Sequence, residues 1–120
     1  MKIGIDVDGT MDEAPWLYSL LTRALREAGH EVHVITYRDD REKVIEQLRE
    51  WGISYDGLHL PDGIVYAPEW KGELAGKLGL DVMFEDSPEV LSKMPSGVLR
   101  MWCCQPEIFD MGKVLSGLKR

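Results

Sequence analysis

Acidic and hydroxyl side chains recur just past the apolar runs of this sequence. Asp6 and Asp8 follow Ile3-Gly4-Ile5, Thr36 follows Val34-Ile35, and Glu85 and Asp86 follow Val82-Met83-Phe84. Asp6 and Asp8 are two positions apart, which in an extended segment points both to one side. A charged Asp within Ile-Gly-Ile-Asp-Val is costly to bury without a partner, and a hard divalent cation is such a partner. Carboxylate oxygens of Asp6 and Asp86, a backbone carbonyl and waters make the octahedral oxygen set that Mg²⁺ takes. Turn formation or helix capping is the other use of these aspartates, since Asp8-Gly9-Thr10 suits a turn.

The elements that position these residues follow from hydrophobic periodicity. Residues 2–7 alternate with period two and are rich in β-branched side chains, so they read as a strand. From Pro15 to Ala28, Trp16, Leu17, Leu20, Leu21, Ala24 and Leu25 recur at helical spacing, with Pro15 in the first turn and Gly29 as the stop. The pattern repeats with a strand at 31–36, a helix at 39–51 closed by Gly52, and a weaker strand at 57–60. An irregular connector is expected at 61–69 and a short helix at 70–78. A strand at 81–85, a brief helix at 88–93 capped by Ser87 and a strand at 97–103 follow, and Ile108, Met111, Val114, Leu115 and Leu118 share one face of a helix at 106–119. Strands alternating with helices predict an α/β chain, a three-layer Rossmann-like fold with a central, mostly parallel five-stranded sheet in one domain spanning 1–120. In such sheets ligands bind beyond the carboxyl ends of the strands, where the polar residues collect.

The run Ile5-Asp6-Val7-Asp8-Gly9-Thr10 resembles the DxDGT signature of the haloacid dehalogenase superfamily, whose members are mostly Mg²⁺-dependent phosphatases. Val34-Ile35-Thr36, Lys71 and Phe84-Glu85-Asp86-Ser87 match its second, third and fourth motifs in order. The resemblance implies a HAD-like phosphoric monoester hydrolase in which Asp6 attacks phosphorus to form an aspartyl-phosphate and Asp8 is the acid and base. It further implies that Asp6, Asp86 and the backbone carbonyl of Asp8 hold Mg²⁺. Glu85 then holds a metal-bound water or faces solvent. Thr36 and Lys71 bind the phosphoryl oxygens, with Lys77, late in the same helix, as the rival lysine. Thr36-Tyr37-Arg38 resembles a sequence of nucleotide and polynucleotide phosphatases of that superfamily, which places Arg38 on substrate phosphate; an ordinary solvated arginine is the alternative. Only one helix and one strand separate Thr10 from Thr36, so the resemblance implies a capless member with an open site. A receiver-like domain phosphorylated on Asp is a competing reading, although receivers place their Lys after the fifth strand. A non-catalytic superfamily member that binds a partner is another.

The chain has 120 residues, with 14 basic against 21 acidic side chains and a net charge of −7. That balance argues against long nucleic acid, whose phosphates favour a basic face. The expected partner is a phosphorylated small molecule, nucleotides included, or a phosphorylated macromolecule, with a second copy of the chain as a possible lid. No apolar run reaches the roughly 18 residues of a spanning helix and no signal peptide opens the sequence, so a cytoplasmic protein without a membrane partner is expected. Cys103 and Cys104 are adjacent, a poor geometry for a disulfide, and form no zinc pattern.

Overall fold

The computed structural model describes residues 1–104, so the expected helix at 106–119 lies outside the described residues. Five strands, β1 (Lys2–Ile5), β2 (Glu31–Ile35), β3 (Gly57–His59), β4 (Val82–Glu85) and β5 (Leu99–Trp102), form one all-parallel sheet in the order β3-β2-β1-β4-β5. The connecting helices are α1 (Pro15–Glu27), α2 (Arg41–Trp51), α3 (Ala67–Leu78) and α4 (Pro88–Ser92). The chain winds outward from β1 to β3, then crosses back to place β4 on the other side of β1. The strand order therefore reverses between β1 and β4, and the crevice beyond their carboxyl ends is where such sheets bind ligands.

The period-two pattern of the strands divides the core into two layers. Ile3, Ile5, Val32, Val34 and Leu58 pack with Tyr18 of α1 and Val44 and Leu48 of α2. Ile35 and Met83 pack on the other face with Ala75 of α3 and Val90 and Leu91 of α4. Gly4 lies on this second face, where a Cβ would come within 2.7 Å of both Leu80 Cδ1 and Met83 Sδ. Gly72 lets α3 approach α4 closely, because a Cβ there would sit 2.5 Å from the Lys93 carbonyl oxygen. Among the described residues, no helix is long and apolar enough to cross a membrane.

Two aspartates tie strand beginnings together. Asp81 donates its N–H to the Lys2 carbonyl at 2.8 Å, and its carboxylate accepts the Lys2 N–H at 2.7 Å. Asp56 repeats the arrangement with Val32, at 2.8 Å in both directions, and adds an ion pair to Arg26. Both pairs lie at the amino edge of the sheet.

Element boundaries differ from the expected ones at three places that matter. Strand β1 ends at Ile5 because the chain turns at once: Thr10 and Asp12 donate backbone N–H groups to the Val7 carbonyl, and Gly9 takes φ 81°. Helix α3 starts at Ala67, three residues before the expected start, with Pro68 in its first turn, where a missing N–H costs nothing. Strand β5 is confined to Leu99–Trp102, and all four of its residues are exposed at the sheet edge.

Candidate cation and phosphoryl site

The ends of β1 and β4 meet one side chain from α3. Asp6 has the same strand parity as Gly4, and Glu85 the same as Met83, so both carboxylates turn to the face that α3 covers. Lys71 lies one turn into α3, four residues before the buried Ala75, and therefore points to the same place. Its Nζ donates to Asp6 Oδ1 at 2.7 Å and to Glu85 Oε2 at 2.8 Å. These three charged groups are all but sealed, with Asp6 and Lys71 4% exposed and Glu85 1%. Carboxylate oxygens of Asp6, Glu85 and Asp86 all lie within 4.8 Å of one another.

Burial raises the Asp6 carboxyl to about 8, aided by the negative charge of Glu85 and opposed by Lys71. The Glu85 carboxyl is raised for the same leading reason, and hydrogen bonding with Asp86 adds to the rise in both. Burial works against the Lys71 ammonium, yet Asp6 and Glu85 together hold it above its ordinary value.

Asp8 goes elsewhere. With β1 ended at Ile5, the two-residue spacing no longer aligns it with Asp6. Its carboxylate is instead gripped by both Nε (3.0 Å) and Nη2 of Arg38, whose Nη1 donates to Gln47 at 2.8 Å. The hydrogen bonds from Arg38 hold the Asp8 carboxyl below the ordinary range. Thr36 follows β2 and is completely buried, and its Oγ1 has no hydrogen-bond partner. A buried hydroxyl with no partner is uncommon.

The structure thus brings Asp6, Lys71 and Asp86 together, puts Asp8 and Arg38 in a separate pair, and leaves Thr36 buried and unpaired. Lys77, in the last turn of α3, takes no part. Glu85, which the sequence left between a metal-bound water and solvent, is instead a buried member of the cluster. Thr10 was missed: it is buried and its hydroxyl donates to Asp6 Oδ2 at 3.4 Å. Its place four residues after Asp6 in a Gly-containing turn was the available signal. Ser87 caps α4 as expected, accepting from the Val90 N–H at 3.4 Å. Three carboxylates are a donor set that fits a hard divalent cation, and among the described residues no His or Cys joins them.

No protein-family model and no curated protein matches this chain. Among solved structures it is similar to a universal stress protein from Archaeoglobus fulgidus, with a TM-score of 0.54 and 18% identity over 83% of this chain and 92% of that one. This finding corrects the haloacid dehalogenase resemblance. Membership of that superfamily, the Mg²⁺-dependent phosphatase activity and the aspartyl-phosphate intermediate are not carried forward. Neither the receiver-like reading nor the non-catalytic superfamily member gains support from it. What the likeness shows of this chain is its fold, a five-stranded parallel α/β sheet of the kind found in a universal stress protein.

Proposed function

We propose that this chain is a binding domain for a phosphorylated small molecule, taken up together with Mg²⁺ at the crevice between β1 and β4. The observation that carries the reading is the gathering of the Asp6, Glu85 and Asp86 carboxylates within 4.8 Å of one another, with the Lys71 ammonium bound to two of them. Mg²⁺ would be held there by the carboxylates of Asp6, Glu85 and Asp86, and would supply positive charge to a phosphoryl oxygen. Lys71 contributes a buried ammonium to the same anion, and the Thr36 hydroxyl has an unused donor for one of its oxygens. Arg38 stands at the mouth, positioned by Asp8 and Gln47. A cytoplasmic setting suits the two free thiols of Cys103 and Cys104.

The test is thermal unfolding against Mg²⁺ at constant ionic strength, with and without inorganic phosphate. A ligand that binds only the folded state at a hundred times its Kd stabilises by about 2.7 kcal/mol. Mg²⁺ should raise the midpoint in the wild type and lose this effect in Asp86→Asn, and phosphate should add a further rise only when Mg²⁺ is present. A midpoint indifferent to Mg²⁺, or a shift fully retained in Asp86→Asn, would defeat the reading.

A further inference from the structure

Helices α1 and α2 pack on one face of the sheet and α3 and α4 on the other. Over β4 and β5 the first of these faces has no connecting helix among the described residues. Val82 and Phe84 of β4 lie on that face and are only partly buried. The register pairs them with Leu99 and Met101 of β5, which are 59% and 40% exposed and point the same way.

Helix α1 supplies a wall beside this floor. Its Tyr18 and Thr22 are buried, and Ser19 donates to the Gly52 carbonyl at 3.0 Å on the α2 side. Leu17, Leu21 and Ala24 therefore form a stripe on the side turned away from α2, toward β4. Tyr18 meets Phe84 edge-on there, with centroids 6.2 Å apart. Leu17 is 41% exposed, and Ala24 is exposed as well. Floor and wall make one apolar groove alongside β5, and a continuous open patch of this kind marks an interaction surface.

The described chain arrives at one end of the groove. The Cys103 N–H donates to the Glu85 carbonyl at 2.9 Å, and its Sγ lies 3.4 Å from the Tyr18 hydroxyl. Residues 105–120 therefore start where floor and wall meet. In their sequence Ile108, Met111, Leu115 and Leu118 recur at helical spacing, Pro106 and Glu107 open the run, and Lys119 and Arg120 close it. That order of charges is the one a helix dipole favours. At about 1.5 Å per residue, a helix over 106–119 matches the length of α1. Direct attachment to β5 holds the segment at millimolar effective concentration, which a second copy reaches only in concentrated solution. We propose that residues 106–119 dock in this groove of their own chain as a helix antiparallel to β5, with Ile108, Met111, Leu115 and Leu118 turned onto the floor and wall.

Hydrogen exchange followed by mass spectrometry on the full chain tests the proposal. Amides of 108–118 should be protected, and equally so at low and high micromolar concentration. Leu17→Asp and Leu99→Asp alter side chains that stand open among the described residues, so the amides of β1 and α3 should keep their wild-type exchange and report an intact fold. Each variant removes one large apolar contact, and protection of 108–118 should fall roughly ten- to a hundredfold. Leu115→Asp should do the same from the segment side, whereas Lys113→Gln, on the opposite face of the run, should leave protection unchanged. Amides of 108–118 that exchange at the rate of an unfolded peptide overturn the proposal, as does protection indifferent to both Leu17→Asp and Leu99→Asp. Protection that grows with protein concentration, together with a dimer in sedimentation, assigns the groove to a second copy and overturns it too.

Discussion

Lys71→Met tests whether the centre of the site is an electrostatic bargain between one ammonium and two carboxylates. Methionine preserves an unbranched stem of similar reach, so packing in α3 is nearly kept and the charge is lost. Two contacts disappear, at 2.7 Å to Asp6 and 2.8 Å to Glu85, and both carboxylates remain sealed from water. Breaking a buried pair by removing one partner typically costs about 3–5 kcal/mol. At a urea dependence of roughly 2 kcal/mol per molar, the midpoint should fall by about 2 M. The assay is urea unfolding in chelator followed by tryptophan fluorescence. The cost should also depend on pH. A carboxyl whose folded pKa is raised contributes stability that is complete below its unfolded pKa and is lost as pH rises through the folded value. For Asp6 that window runs from the ordinary 3.8 to about 8. Lys71 holds both carboxyls down, so its removal moves the folded values higher and extends the loss. The penalty should therefore be largest at pH 8.5 and smaller at pH 5, where protons replace the ammonium. A penalty below about 1 kcal/mol, or one equal at the two pH values, would refute the reasoning.

Two further outcomes are expected. Gly72→Ala should cost about 1–3 kcal/mol, as overpacking does, because its Cβ would press on the Lys93 backbone and push α3 from α4; a neutral result by urea unfolding would show that the two helices separate freely. The His59 imidazole is held below its ordinary value by burial and then by His33, whose Nδ1 lies 3.0 Å from His59 Nε2. Its contribution to stability is thus present above pH 6.5 and lost as pH falls through the lower folded value, so the stability of wild type relative to His59→Gln should decline from pH 7.5 to pH 5; a constant difference would rule this out.

The sequence made the framework readable because each strand and helix carries its own period. Asp6, Glu85 and Asp86 could be picked out because they interrupt or follow apolar runs where a parallel sheet gathers its loops, whereas Lys71, inside a helix, was reached only through the haloacid dehalogenase resemblance. Asp8 resisted such reading: the two-residue rule requires an extended chain, and the strand stops one residue before Asp6. Its partner Arg38 lies 30 positions away, and nothing local in the sequence announces a contact made by the packing of two loops. The start of α3 was obscured by Pro68, which suits a connector and a first helical turn equally. The DxDGT-like run, compelling as a motif, fixes a turn and a buried carboxylate without fixing a family.

Asp56 and Asp81 have a consequence for how freely this molecule can change. Each reads the first residues of a neighbouring strand through both its backbone and its side chain. A slip by one residue would break both bonds at once and would also exchange the faces of every side chain along the strand. Alignment is thereby enforced from the end of the sheet farthest from Asp6, Thr36 and Glu85. The loops around the crevice are relieved of that duty, and their lengths and sequences can be exchanged to admit other ligands while the strands keep their places.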